Sequence, residues 1–243
     1  MSSIFSSSLW STLNASPAMA HLPWLVLTLV IYLAAMALYR RSGSHPLLIP
    51  VFTAVVVVVS LLHLTGTPYE SYRHGVSPLG LLIGPATVAL AIPLYAQRQR
   101  IRTLWRPVGA ALLIGCITAL LSALLIGWVL GGSHASLMAL APKSATIPIA
   151  LPMAKRYGAP ASLAAVAVAI TGITGAMMAP LLMRLVRSQD PAVQGFALGL
   201  TAHAIGTARA LQVHPAMGAF AALAMGLNAV ATAVLMPLLI ALL

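Results

Sequence analysis

Residues 131–158 read GGSHASLMALAPKSATIPIALPMAKRYG, and this stretch decides the fold class of the chain. Three prolines, Pro142, Pro148 and Pro152, interrupt an otherwise apolar segment. Each proline removes a backbone donor and clashes with the preceding helical turn, so a continuous helix is excluded. In lipid, broken backbone persists only where protein or a watery cavity satisfies its polar groups. The stretch therefore predicts a re-entrant hairpin or an unwound helix at a binding site inside a membrane protein.

The composition of the rest of the chain agrees with a membrane location. Of 243 residues, 60% are hydrophobic and 6% are charged, whereas a soluble domain carries about 25% charged residues. A bilayer crossing needs about 20 mostly apolar residues. We therefore expect an all-α membrane protein, with a Ser-rich segment at 1–21 and one polytopic helical bundle over 22–243. The apolar runs lie at 22–39, 46–64, 79–96, 107–130, 159–183 and 216–243.

The basic residues set the expected orientation. Thirteen Lys and Arg residues against two Asp and Glu residues give a net charge of +11. The bases cluster between apolar runs, as at Arg40, Arg41 and 98–106, which is the positive-inside pattern of cytoplasmic loops and not a nucleic-acid surface. No Lys or Arg precedes the first run, so we expect an uncleaved anchor in the bacterial cytoplasmic (inner) membrane, with the N-terminus outside.

Charge counting leaves one part of the topology open. If residues 142–152 cross the membrane fully, Lys155 and Arg156 fall inside while Arg184 and Arg187 fall outside. If the segment turns back, the two pairs exchange sides. Both arrangements place the same number of bases inside, so the positive-inside rule does not choose between them.

A second interrupted segment is expected at 192–212, which is rich in glycine. Asp190 before Pro191 predicts a helix N-cap with proline at the first helical position. Interrupted helices at matching positions of two halves are typical of transporters. The sequences GPAT at 84–87 and GTAR at 206–209 share a Gly-x-Ala pattern, and we expect an inverted repeat.

Two patterns in the apolar runs concern packing. Gly218, Ala222 and Gly226 follow one another at four-residue spacing, which predicts a face for close helix packing. The one cysteine, Cys116, lies inside an apolar run, so it is expected to be a small core residue and no disulfide framework exists.

Candidate binding residues are the polar side chains of the two interrupted segments. Lys143 at depth costs about 2.5–3.5 kcal/mol to insert. With Ser144, Thr146 and freed backbone N–H groups it can bind an anion; alternatively it snorkels to the interface. Arg209 offers a planar fork suited to carboxylate, or it anchors at the interface. His203 is a further candidate, because histidine is the side chain type that can titrate near neutral pH.

Thr207, two weaker candidates and the acidic residues complete the inventory. Thr207 lies beside Arg209, whereas Thr87 and Asn228 can instead bond a backbone carbonyl of their own or a neighbouring helix. Only Glu70 and Asp190 are acidic, and both lie between apolar runs, so coupling through a buried carboxylate is not expected. Proton coupling through His203, His134 or the substrate's own charge stays open. Nucleophile-elbow, His-Glu-x-x-His and paired-carboxylate motifs do not occur, so we do not expect an enzyme, a metal site or a cofactor.

Several motifs together resemble the LrgB/CidB family. They are GPATVALA at 84–91, APKS at 141–144 followed by Thr146, ITGITG at 170–175, HAIGTARAL at 203–211, and TPYE at 67–70 in the position of the family's first outer loop. The resemblance covers roughly residues 22–243. It implies a membrane protein that pairs with a small holin-like LrgA/CidA partner. The family was first described as regulating murein hydrolase export and autolysis, while related members transport pyruvate or exchange glycolate and glycerate.

The departures from the family pattern concern specificity. Many relatives read Lys-Ser-Val-Thr-Thr-Pro, whereas Ala145 and Ile147 flank Thr146 here, and Arg209 stands where many relatives have Lys. The loss of a hydroxyl at Ile147 is expected to alter the substrate range.

Two functions follow as hypotheses. The first is a secondary carrier of small 2-hydroxy or 2-oxo monocarboxylates, in which Lys143 and Arg209 bind the carboxylate while Ser144, Thr146 and Thr207 bond the second oxygen. The alternative is a holin-like pore or regulator of murein hydrolase export, which acts by oligomerising. The expected partners are the lipid bilayer, the substrate, an LrgA/CidA-like protein and further copies of the chain; nucleic acid is not among them.

Overall fold

The chain is helical wherever the structure describes it. The computed structural model describes the backbone of residues 17–242 and the side chains of residues 22–242, and that range contains no strand. The expected all-α class is thus confirmed. Most of the Ser-rich segment 1–21 lies outside the described residues. The helices are α1 Pro17–Arg41, α2 Pro50–Thr65, α3 Tyr69–Gly75, α4 Ile83–Ala89, α5 Ala91–Ala96, α6 Arg98–Thr103, α7 Trp105–Val129, α8 His134–Leu140, α9 Ile147–Arg156, α10 Ala161–Leu185, α11 Pro191–Val213 and α12 Pro215–Leu242.

Five segments are long and apolar enough to cross a membrane, which confirms a multi-pass membrane protein. They are Leu22–Arg41, Ser77–Ala96, Trp105–Val129, Ala161–Leu185 and Pro215–Leu242. Helix α2 departs from the expected run 46–64, because a 3-10 turn occupies Pro46–Leu48 and the helix begins only at Pro50. Its 16 residues span about 24 Å, less than the hydrocarbon core of about 30 Å.

The described residues form two compact units, which are divided between Ala89 and Leu90. In the first unit α1 packs against α3 through aromatic side chains. The rings of Trp24 and Tyr72 meet edge to face with centroids 5.7 Å apart, and Gly75 is needed there because a Cβ would overlap the Trp24 side chain. Large apolar side chains such as Leu29 and Leu33 are exposed on α1, as expected for a surface that faces lipid.

In the second unit α11 and α12 approach each other closely. A Cβ at Gly195 would overlap the Met217 carbonyl oxygen, and a Cβ at Gly199 would overlap that of Ala221. The contacts advance in the same direction along both helices, from Gly195 with Met217 to Gly199 with Ala221. The first part of α11 therefore runs parallel to α12. The prediction for the glycines of α12 is only partly right: Gly218 packs on Leu211, but Gly226 has open space around it.

Helix α11 folds back on itself at His203. This residue has φ 40° and ψ −126°, which interrupts the helix. A Cβ at Gly206 would lie 2.6 Å from the Leu198 carbonyl oxygen, although eight residues of straight helix span about 12 Å. The second part of α11 then runs back along α12, where Leu211 contacts Gly218. The predicted weakness of a continuous helix over 192–212 is therefore confirmed.

The stretch 131–158 is also interrupted as predicted, with a turn between α8 and α9 at residues 141–146. Of the three prolines, only Pro142 lies in this turn. Pro148 lies in the first turn of α9, where a missing N–H costs nothing, and Pro152 is accommodated inside that ten-residue helix. Ala139 from α8 and Ala154 from α9 share a buried cluster with Leu120 of α7.

Candidate functional site

Five polar side chains are buried among residues 22–242: Ser144, His203, Thr207, Asn228 and Thr232. All five belong to the second unit. Burying a polar group without a hydrogen-bond partner costs several kcal/mol on apolar transfer scales. Each of these side chains therefore needs a hydrogen-bond partner or a functional role. Four of them are residues that the sequence singles out, and Thr232 is the fifth.

Asn228 on α12 connects the two interrupted segments. Its Nδ2 donates to the Ser144 carbonyl oxygen at 2.9 Å and to the Leu200 carbonyl oxygen at 3.2 Å. Ser144 lies in the turn between α8 and α9, and Leu200 lies three residues before the break at His203. The last carbonyls of a helix have no partner within the helix. One amide therefore satisfies carbonyl groups at both breaks and holds them together.

The same contacts determine the orientation of the Asn228 amide. Two carbonyl oxygens accept only, so the group facing them must be the NH2, and Oδ1 points elsewhere. Asn228 is 1% exposed, and no donor in the described part of the chain lies within hydrogen-bond distance of Oδ1. Thr53 Oγ1 is likewise unpaired and buried, but it belongs to a half-buried residue whose hydroxyl proton can rotate. Asn228 Oδ1 cannot reach a donor by rotation of the amide, because the NH2 group must keep facing the two carbonyl oxygens.

The break at His203 is braced by neighbouring helices. His203 Nε2 lies 3.0 Å from the Val168 carbonyl oxygen of α10; since that oxygen only accepts, Nε2 carries the proton. Gly172 makes room for the ring, because a Cβ there would lie 2.6 Å from His203 Cε1. Thr207 Oγ1 donates to the His203 carbonyl oxygen at 2.8 Å. These contacts stabilise a positive φ that non-glycine residues rarely adopt.

Lys143 adds a positive charge beside the Asn228 contact. The side chain is half-buried, and Nζ lies 3.5 Å from Ser144 Oγ. Neither acidic residue of the chain is its counter-ion, because Glu70 pairs with Arg73 at 3.2 Å and Asp190 pairs with Arg100 at 2.7 Å. An ammonium group without a carboxylate partner in the protein can bind an anion from outside.

Three predicted residues remain to be placed, namely Thr146, Arg209 and Thr87. Thr146 precedes α9 but its hydroxyl does not cap that helix. Arg209 is half-buried on the second part of α11, six residues beyond the break. Thr87 is exposed in the first unit, and its hydroxyl donates to the Ile83 carbonyl oxygen of its own helix at 2.7 Å. The binding roles of these three residues stay predictions.

Asp190 has the predicted capping role and an additional partner. Its carboxylate accepts from the Ala192 N–H at 2.8 Å at the start of α11. The same Oδ1 accepts from Arg100 Nη2 on α6 at 2.7 Å. This ion pair places the basic loop before α7 next to the loop after α10.

The sequence did not predict which groups form hydrogen bonds with the candidate side chains. The carbonyls of Leu200 and Val168 carry no signal in the sequence, since every residue has one. Thr232 lies one turn after Asn228 on the same face of α12, and that spacing is the signal that was available. Its Oγ1 lies 3.6 Å from Cys116 Sγ, so it joins α12 to α7, away from the two breaks.

Comparison with known proteins agrees with these features. The sequence profile described as the LrgB-like family matches residues 28–242. A Bacillus subtilis (strain 168) protein named "Uncharacterized protein YxaC" is 37% identical over 188 residues, covering 77% of this chain and 81% of that protein. No solved structure matches. The profile includes both interrupted segments and Asn228, and the chain therefore belongs to the LrgB-like family of membrane proteins.

Proposed function

We propose that this protein is a secondary carrier of short 2-hydroxy or 2-oxo monocarboxylates, such as pyruvate, glycolate or glycerate, working by alternating access. The observation that carries the proposal is the bridge from Asn228 to Ser144 and Leu200, which joins two interrupted segments. Interrupted helices that meet at polar groups are the common construction of carrier binding sites.

The ion pair between Arg100 and Asp190 supports a topology in which residues 134–156 re-enter the membrane. Arg100 precedes α7 and Asp190 follows α10, and their side chains meet at 2.7 Å, so both loops lie on one side. Helices α7 and α10 account for two crossings. In this topology the intervening segment returns to the side from which it came, since a third crossing would separate the pair.

The folded-back α11 completes the arrangement from the opposite side. It starts at Asp190, on the side of the Arg100 loop, and turns back at His203. The two hairpins then enter from opposite faces with their tips joined by Asn228. In this topology Arg156 lies outside, and Arg184 lies in the cytoplasm with the loop 98–106. The inverted repeat pairs α7 and its hairpin with α10 and its hairpin.

The substrate carboxylate binds at Lys143, whose ammonium pairs with neither Glu70 nor Asp190, with Arg209 as the second cation. Charge-assisted hydrogen bonds of this kind contribute about 1.5–3 kcal/mol each. Ser144 Oγ, which receives only a 3.5 Å contact from Lys143 Nζ, and the hydroxyl of Thr146 are available for the second oxygen. Thr207 already donates to the His203 carbonyl oxygen, so it offers the substrate an acceptor.

Uptake into proteoliposomes tests the proposal against the holin-like alternative. The purified chain is expected to take up labelled pyruvate, glycolate or glycerate with saturation and to exclude a dye of larger size. Leakage that is graded by solute size and does not saturate would instead support a pore that regulates murein hydrolase export. Adding an LrgA/CidA-like partner, which the family resemblance implies, tests whether either activity needs a second protein.

Cysteine labelling from outside tests the topology in a Cys116→Ala background. Ser71→Cys and Arg156→Cys are expected to react with an impermeant thiol reagent in intact cells. Gln99→Cys and Gln189→Cys are expected to react only after permeabilisation. Opposite behaviour of Arg156→Cys and Gln189→Cys would mean that residues 134–156 cross the membrane.

A further inference from the structure

An apolar groove lies in the second unit between α7 and the first part of α11. It encloses about 370 Å³, and the ring of Phe220 from α12 also lines it. Two of the lining residues, Asp190 and Thr201, have polar side chains, and the Thr201 hydroxyl donates to the Ala197 carbonyl oxygen at 2.8 Å. The volume equals that of about twelve water molecules at about 30 Å³ each. Because the walls offer water few hydrogen-bond partners, an apolar occupant fits the groove better.

The length of the groove matches one leaflet of a bilayer. Its lining covers residues 104–115 beside and within α7 and residues 190–201 beside and within α11. Each range rises by about 16 Å, which is close to half of the hydrocarbon core of about 30 Å. The ion pair between Arg100 and Asp190 places the starting ends of both helices together. The groove therefore extends from the basic loop toward the middle of the membrane, as one acyl chain of a phospholipid does.

The mouth of the groove is positively charged. Residues 98–106 contain four arginines and no acidic residue, and one of the four charges, that of Arg100, is paired with Asp190. Basic clusters beside a gap between membrane helices recognise the headgroups of anionic lipids. Tyr95 and Trp105 are exposed at the two ends of this loop, and such aromatic side chains are typical of the headgroup level of a membrane.

Arg100 holds its guanidinium group at this mouth. Its Nη2 donates to Asp190 Oδ1 at 2.7 Å, and its Cζ lies 5.9 Å from the centre of the Phe220 ring. A guanidinium has five N–H donors, so the group can bind a phosphate while it keeps this ion pair. Asp190 also accepts from the Ala192 N–H, and its carboxylate thus positions the arginine. We propose that the groove binds one acyl chain of an anionic phospholipid whose phosphate contacts Arg100.

The inner end of the groove lies next to the break in α11. A Cβ at Gly115 would lie 3.0 Å from the Leu200 side chain, and the Leu200 carbonyl oxygen accepts from Asn228 Nδ2 at 3.2 Å. An acyl chain in the groove packs on the helical turn that precedes His203. Bound lipid should therefore stabilise the first part of α11, whether or not the protein is a carrier.

Titration of the purified full-length chain in detergent with dioleoyl phosphatidylglycerol tests the site. Thermal melting and native mass spectrometry follow binding, and dioleoyl phosphatidylcholine is the matched zwitterionic lipid. We expect phosphatidylglycerol to bind with saturation and to raise Tm by about 5 °C at about 100 times its Kd. Phosphatidylcholine should bind about 5-fold more weakly or less, since one basic side chain near a lipid surface has about that effect.

Two neighbouring alanines of α7 test the position of the acyl chain. Ala110 and Ala111 are both exposed, but only Ala111 lines the groove. Ala111→Phe fills the groove without crowding the core, so it should abolish the bound lipid and the rise in Tm. Ala110→Phe adds the same ring outside the groove and should keep both.

Charge variants test the phosphate contact. Arg100→Gln should weaken the binding of phosphatidylglycerol by about 5-fold and leave that of phosphatidylcholine unchanged. Asp190→Asn removes the ion pair but keeps Arg100, so it should not weaken lipid binding. Arg184→Gln removes a charge from the end of α10, outside the groove, and should behave like the wild type.

Several outcomes would overturn the proposal. Equal binding of the two lipids would remove the phosphate contact, and full binding by Ala111→Phe would place the lipid outside the groove. Equal losses in Asp190→Asn and Arg100→Gln would mean that the ion pair acts only on the structure. Stabilisation by glycerol phosphate as large as that by phosphatidylglycerol would indicate a site for free anions. A dimer that Ala111→Phe dissociates, with no effect of lipid, would mean that a second copy of the chain occupies the groove.

Discussion

The two units of the molecule differ in the partners of their polar side chains, although bonds to the carbonyl four residues earlier occur in both, as at Thr28 and Thr207. In the first unit, Thr28, Thr65 and Thr87 each donate to the carbonyl four residues earlier in their own helix. In the second unit, Asn228 and His203 bond backbone groups that lie 28 to 84 residues away. A local bond allows a helix to face lipid alone, whereas a long-range bond holds separate segments in one arrangement.

This difference supports the assignment of the proposed binding site to the second unit. Five buried polar side chains lie in the second unit, whereas among residues 22–89 Tyr39 is buried and Thr53 Oγ1 is a buried atom of a half-buried side chain. The first unit therefore resembles a set of apolar helices with local capping, and the second a packed core with a polar centre. Substitutions of polar residues should accordingly be mild in the first unit and severe in the second.

The largest effect is expected at Asn228. Asn228→Leu leaves the Ser144 and Leu200 carbonyls without their donor, and each unsatisfied buried group costs about 1–3 kcal/mol. We expect a loss of about 4 kcal/mol in the free energy of unfolding and loss of uptake. The matched change in the first unit, Thr65→Val, should stay within about 0.5 kcal/mol. Denaturant unfolding in detergent measures both, and equal stability of the two variants would remove the contrast.

Close packing in the second unit is expected to give the next largest effect. In Gly199→Ala the added methyl overlaps the Ala221 carbonyl oxygen, and overpacking costs about 1–3 kcal/mol. Gly226→Ala adds the same methyl to α12, where nothing lies within 4 Å, and should be neutral or slightly stabilising. Melting of the two variants in one detergent compares them directly. A neutral Gly199→Ala would contradict the parallel packing of α11 on α12.

Charge at the proposed carboxylate site is expected to matter for binding and not for stability. Lys143→Gln and Arg209→Gln should each weaken substrate binding by about 1.5–3 kcal/mol, while removal of a charge from membrane depth relieves an insertion cost. Lys143→Arg should restore binding only partly, because the guanidinium is larger and directed differently. Arg184→Gln, at the end of α10, serves as the control. Substrate affinity from uptake, with Tm recorded alongside, checks this. Normal transport by both Lys143→Gln and Arg209→Gln would rule out binding of the carboxylate by these two cations.

The smallest effect is expected for the partly exposed ion pair between Arg100 and Asp190. The side chains of Arg100 and Asp190 are 40% and 44% exposed, and such ion pairs contribute about 1 kcal/mol or less. Asp190→Asn should lower stability by about that amount, and the loss should shrink at high salt. Asp190→Ala also removes the cap of α11 and should cost about 1 kcal/mol more. A double-mutant cycle with Arg100→Gln isolates the pair; no coupling at low salt would mean that the contact does not form in solution.

Much of this fold could be read from residue types whose effects are local. Pro142 in the apolar stretch predicted the turn after α8, and Asp190 before Pro191 predicted the start of α11, because both act on their immediate backbone. The length of α2 and the open space at Gly226 were not predictable in this way, since they depend on which neighbour is packed nearby.

The site could be predicted only in part for the same reason. The cost of buried polarity pointed to Ser144, His203, Thr207 and Asn228. It did not show that α11 reverses at His203, a position with no proline or glycine, because Gly172 and the Val168 carbonyl of another helix stabilise that backbone. Nor did it show which carbonyls Asn228 bonds, since backbone oxygens are alike at every position.

The position of Asn228 on the last helix has a consequence for biosynthesis. Ser144 leaves the ribosome 84 residues before the amide that will bond its carbonyl, and Leu200 leaves 28 residues before it. In the proposed re-entrant topology, both hairpin tips hold carbonyls that lipid cannot satisfy until α12 is made. The nascent hairpins should therefore wait at the membrane surface and enter only when α12 arrives. Protease should cut residues 141–146 in chains stalled before residue 228 has emerged and spare them in longer ones; equal protection at both lengths would show that the hairpins insert unaided.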